Sequence, residues 1–137
     1  MTRFVNICAR FVILLVAAVS SRAQPVSGDV VSVGFPASVP SRHVIRYGQW
    51  HPIMLNLTAQ GTSSYDVELR CERLDLDGDR VSYVQPHVAV TPEAGVKRVW
   101  CYAVTVKENS VDPLRIDVIG ADGMLISSMT APSFEAV

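Results

Sequence analysis

Three groups of residues in this chain have side chains whose types could do chemistry. They are the thiols Cys71 and Cys101, the acidic run Asp75-Leu76-Asp77-Gly78-Asp79, and the histidines His43, His51 and His87. A thiol pair can form a disulfide, hold a soft metal or cycle electrons. The last two uses favour a Cys-x-x-Cys spacing or a histidine close by, and neither is present. A structural bridge between Cys71 and Cys101 is therefore expected. It would close a loop of about 30 residues and contribute roughly 3.5–4 kcal/mol on the chain-entropy account. Asp75, Asp77 and Asp79 alternate like the opening ligands of a calcium loop. The sixth position of that loop needs glycine and holds Arg80, and the twelfth needs an acid and holds Pro86. Aspartate with glycine also makes a tight hairpin turn, and the turn is the expectation. None of the histidines has a partner two or four residues away to share a ligand face, so ordinary surface or half-buried positions are expected.

Catalytic machinery of other kinds is missing from the sequence. Serines are numerous, but no Gly-x-Ser-x-Gly elbow occurs, and no glycine-rich phosphate loop. The expectation is a non-enzyme that needs neither metal nor cofactor. Trp50, Trp100 and Tyr102 remain as a possible ligand platform. Trp100 directly precedes Cys101 and points to the opposite face of any strand they share. A core cysteine thus implies an outward Trp100. Asn56-Leu57-Thr58 matches a glycosylation acceptor, but it falls inside a strand pattern.

The elements that must position these residues read as strands. Asp29 to Val33, His43 to Tyr47 and Trp50 to Thr58 come first. In the third run Ile53, Leu55 and Leu57 alternate with Met54, Asn56 and Thr58, the pattern of a half-buried strand. In Tyr65 to Leu76, Val67, Leu69 and Cys71 face one way and Asp66, Glu68, Arg70 and Glu72 the other. Leu74 and Leu76 break that parity, so a bulge or sheet change is expected near Arg73. Arg80 to Val90, Val96 to Val106, Leu114 to Ile119 and Met124 to Met129 follow, the last two joined by a hairpin at Gly120-Ala121-Asp122-Gly123. No run of about ten residues has helical periodicity. The expected fold is all-β, an immunoglobulin-like two-sheet sandwich of about seven to eight antiparallel strands.

The N-terminus addresses the protein. Arg3 and Arg10 lead into the apolar run Phe11 to Val19, and Ser20-Ser21-Arg22-Ala23 supplies small residues. That order is a secretory signal, and a run of about nine apolar residues falls short of the roughly 20 that span a bilayer. Cleavage after Ala23 is expected, giving a signal over 1–23, a sandwich over 24–130 and a short tail over 131–137. Cys8 would leave with the signal, so an even pair of cysteines remains in an oxidising compartment. The precursor charge of −1 would become about −4 once three arginines are lost, which gives no electrostatic attraction to nucleic acid or anionic lipid.

Arg46-Tyr47-Gly48-Gln49-Trp50-His51-Pro52-Ile53, then the acidic run at Asp75, then Arg98-Val99-Trp100 form an ordered series. The series resembles the N-terminal β-sandwich domain of large secreted or membrane-anchored proteins of planctomycete-type bacteria. That resemblance implies export and a β-sandwich more than any activity. Together these readings predict a secreted, periplasmic or extracellular, non-catalytic module that binds another protein or serves a structural role. The alternative is a carbohydrate-binding module using its surface aromatics. A protein partner is expected, or else a polysaccharide, with no nucleic acid and no membrane span in the mature chain.

Overall fold

The computed structural model describes residues 24–36, 43–106, 113–132 and 134–136. The expected signal over 1–23 lies outside them. Ten strands run in order: β1 (Val26–Val33), β2 (Phe35–Pro36), β3 (His43–Ile45), β4 (Trp50–Ala59), β5 (Tyr65–Leu74), β6 (Arg80–Val90), β7 (Val96–Val104), β8 (Arg115–Gly120), β9 (Leu125–Thr130) and β10 (Glu135–Ala136). They form a three-stranded sheet β1-β4-β7, a four-stranded sheet β6-β5-β8-β9 and a small sheet β10-β3-β2. All pairings in the two larger sheets are antiparallel. The chain is an all-β sandwich. Its only helical turn among the described residues is the short Pro92–Ala94, and no helix there is long and apolar enough to cross a membrane.

Alternation in the sequence becomes the core. Ile53, Leu55 and Leu57 of β4 point inward against Val67, Leu69 and Cys71 of β5, with Ile116 and Val118 of β8 beside them. Full burial of one such aliphatic side chain contributes roughly 1.5–3 kcal/mol. Close approach of β1 to β4 depends on Gly28. A Cβ built there would lie 2.2 Å from the Asn56 carbonyl oxygen and 2.9 Å from Leu57 Cδ2.

Two sequence expectations need correction. β5 shows no bulge or sheet change near Arg73. Parity holds to the end of the strand, and Arg73 itself takes the inward position and is buried, while Leu74 and Leu76 face solvent. A long aliphatic stem lets arginine occupy an inward site at the end of a sheet while its head reaches a polar opening. The register slips lie elsewhere, in β1 at Val31, between Val67 and Leu69, and in β9 at Ile126. In the second of these, β6 carries one extra residue, and His87 takes a left-handed φ of 56°. His51 is also not a surface or half-buried histidine. It is 1% exposed, because its odd position on β4 joins Ile53 and Leu55 on the core side.

Candidate functional site

The two outer faces of the sandwich differ. On the four-stranded sheet many outward side chains are charged and mutually paired, with Leu74, Val84 and Leu125 exposed among them. Arg70 meets Glu68 at 2.7 Å, Arg80 meets Glu72 at 3.3 Å, and Arg115 meets Asp117 at 2.7 Å. Ser128 adds a hydroxyl donated to Asp117 at 2.6 Å. A groove of 560 Å³ at the end of this sheet is lined by Arg73, Arg80, Arg115, Glu72 and Asp117. It carries both signs of charge.

The three-stranded sheet shows the opposite chemistry. Trp50 is 61% exposed, Trp100 47%, Tyr102 53% and Val96 63%. β4 runs down the middle of this sheet, so its outward Pro52 and Met54 sit beside Tyr102 and Trp100 of β7. The sequence signal for this strip was parity. Cys101 and Ala103 point into the core, and Trp100 and Tyr102 therefore point out.

β7 is also an edge. Its backbone directions follow from two hydrogen bonds. The Pro52 carbonyl accepts from the Gly34 amide at 2.8 Å, toward the β1 side of β4. Successive residues of a strand send their backbone groups to opposite sides. His51 and Ile53 therefore serve the ladder to β7, through Ala103 and Cys101. Arg98, Trp100 and Tyr102 consequently direct their N–H and C=O groups away from β4, toward the open edge. The Thr105 carbonyl agrees with this parity, accepting from the Gly48 amide just ahead of β4 at 2.8 Å. Burial pushes the Tyr83 phenol up.

β6, the edge strand of the other sheet, stands across from β7, with a slot between them. One end is closed by Tyr83, whose ring meets Trp50 edge-on with centroids 5.3 Å apart and planes at 81°. At the other end Lys97 donates from Nζ to the Ala89 carbonyl on β6. Between these ties lies an opening of 360 Å³ bordered by Trp50, Tyr83, Val84, Gln85, Cys101 and Tyr102. The structure thus brings Trp50 and Tyr102 together in the slot and leaves Trp100 on the flat face beside Met54. Sequence reading missed Tyr83, since nothing local marks a tyrosine in an alternating strand as the one that reaches the opposite edge.

Cys71 and Cys101 project from different sheets into the same core and are free thiols in this structure, where a bridge was expected. Burial pushes Cys71 up to about 11. Burial, then the nearby Cys71, pushes Cys101 up to about 12. Protonated, desolvated thiols of this kind are poor nucleophiles. Burial also lowers His51, and the Arg73 charge adds to the effect.

The remaining residues have structural duties. Asp75 Oδ1 accepts from the Asp77 and Asp79 amides at 3.0 and 2.9 Å, so the acidic run folds around its own backbone as the β5–β6 turn. Gly78 supplies the φ of 89° which that turn needs. His43, His51 and His87 lie on β3, β4 and β6, and His87 Nδ1 faces Asp66 at 3.3 Å. Among the described residues no group of three metal-ligating side chains gathers. Asn56 is half-buried on the central strand of its sheet, within a regular antiparallel ladder rather than a loop.

No protein-family model and no curated protein matches the chain. Among solved structures, Pseudomonas fluorescens alkylpurine DNA glycosylase AlkC, bound to DNA containing an abasic site analog, aligns with a TM-score of 0.44 and 13% identity. The alignment covers 84% of this chain and 31% of that one. A likeness at that level says nothing about the activity of this chain.

Proposed function

We propose that this chain is an exported, non-catalytic β-sandwich module that binds another envelope or extracellular protein along the open β7 edge. One observation carries the reading: exposed Trp50, Trp100 and Tyr102 gather on and beside an edge strand, while the opposite face is rich in paired charge. Contiguous exposed apolar surface marks interaction sites. An unpaired edge gives main-chain donors and acceptors to an incoming strand, and alternate side chains then find pockets. The basic, apolar and small-residue order at the N-terminus supports export. In an oxidising compartment Cys71 and Cys101, which share the core from opposite sheets but are not at disulfide distance in this structure, would have to close on each other to form the expected bridge behind the binding edge.

Sugar stacking is the competing use of these aromatics. In the slot Trp50 meets Tyr83 with planes at 81°, so that end offers no flat pair of rings for a sugar.

A displayed library of extended peptides, selected on the full chain, tests the reading. Alternating apolar sequences are expected to be selected, to slow amide exchange at Arg98, Trp100 and Tyr102, and to be lost with Tyr102→Pro. That variant removes an edge-facing donor together with the exposed phenol ring. Retention on insoluble polysaccharide that Trp100→Ala abolishes, with no peptide selected, would overturn it.

A further inference from the structure

The outward half of β7 reads Val96, Arg98, Trp100, Tyr102, Val104. It is close to symmetric about its centre, with an aliphatic residue at each end, a cation on one side of Trp100 and a phenol on the other. We infer that the occupant of the β7 edge is a second copy of this chain, paired antiparallel about a two-fold axis at Trp100. The inference rests on reading that edge as a protein-binding surface, and it names the partner.

An isologous contact has to be self-complementary, so residue i meets j and j meets i. Pairing centred on Trp100 overlaps the whole of Val96–Val104 with itself. It sets Val96 against the partner's Val104, Arg98 against the partner's Tyr102, and Trp100 against the partner's Trp100. Residues directly opposite have Cβ atoms about 5 Å apart, which lets the guanidinium lie over the phenol face. A shift that centres the pair on Arg98 would bring like charges face to face, which is destabilising.

The backbone fits the same register. Arg98, Trp100 and Tyr102 present their N–H and C=O groups outward, and in hydrogen-bonded antiparallel pairs they would exchange about six bonds. The Trp50–Tyr83 ring contact and the Lys97 bond to Ala89 stand at the two ends of the slot and leave this central stretch open. Withdrawing the half-exposed aromatic and aliphatic side chains of both copies, with the strand edges, removes on the order of 1,000 Å², the lower bound for a specific interface. The product is a continuous sheet of strand order β1-β4-β7-β7-β4-β1, in a concentration-dependent dimer.

Sedimentation equilibrium of the full chain, from micromolar to millimolar, tests the pairing. Wild type is expected to pass from monomer to dimer. Trp100→Lys and Trp100→Glu, each alone, are expected to stay monomeric with unchanged circular dichroism, because residue 100 faces its own copy. Mixed one to one, the two variants should associate at least about tenfold more tightly than either alone. Wild type that stays monomeric overturns the inference, as does a dimer indifferent to Trp100→Lys, or a mixture that fails to pair. A monomer that still selects strand peptides removes the second copy as occupant and leaves the protein-binding reading in place. A dimer with no peptide selected does the reverse.

Discussion

Raising the pH from 8 to 10 under a reducing agent should destabilise the folded chain by about 3 kcal/mol, with both core thiols responsible. Cys71 and Cys101 are 2% and 6% exposed, and each would ordinarily ionise near 9.0. In the folded chain burial holds them protonated up to about 11 and about 12. Their folded values are raised, so the stability they contribute is complete below 9 and is lost as the pH climbs toward 11 and 12. Over that window the unfolded chain releases protons that the folded chain keeps. Each thiol then costs roughly 1.4 kcal/mol per pH unit. Against a total stability of about 5–15 kcal/mol this is a large loss. Urea unfolding at the two pH values measures it. The bridged chain has no thiol to ionise and should show almost none of the loss, as should the double variant Cys71→Ala/Cys101→Ala. A reduced chain equally stable at both pH values would refute the buried placement of the pair.

The other predictions concern the core. Below about 6.5 the unfolded chain takes up a proton at its histidine that the folded chain resists at His51, so stability should fall with acid by up to about 1.4 kcal/mol per unit; His51→Phe should flatten that limb in urea titrations from pH 7 to 5. Gly28→Ala places a methyl 2.2 Å from a backbone oxygen and should cost at least about 2 kcal/mol, read as a lower melting temperature. Leu55→Ala empties a wholly buried site and should cost about 2–5 kcal/mol, whereas Leu76→Ala, on an exposed turn, should change melting little.

Local alternation made the strands legible. Trp50 to Thr58 was readable because the core takes every second residue, and Arg80 to Val90 because glycine and proline turns bound it, as at Asp77-Gly78. The same rule failed at Arg73. A pattern of apolar letters assumes that inward means hydrophobic, and an arginine at the end of a sheet violates that without leaving the strand. β2 and β10 were not legible either, since each is two residues long and is held by β3 rather than by its own pattern. Which sheet each strand joins was also hidden. Alternation gives a strand its faces but not its neighbours, and so the edge position of β7 and the reach of Tyr83 emerged only from the assembled sheets.

β7 links the two halves of the proposal through its parity. Odd residues serve the interior, with Cys101 and Ala103 in the core and Lys97 tied to β6; even residues serve the outer face and the open edge, with Arg98, Trp100 and Tyr102. The odd residues also carry the ladder to β4, so the strand can be held on one side while its other side stays free to pair. An oxidised Cys71–Cys101 bridge would anchor β7 to β5 at the residue between Trp100 and Tyr102. Anchoring there restrains the binding strand without occupying any of its outward groups, and pre-ordering of that kind lowers the entropy lost when a second strand docks. Edge pairing should therefore be tighter in the oxidised chain than in the reduced one. Equal dimer constants for the two forms would separate the bridge from the edge and leave it a purely internal support.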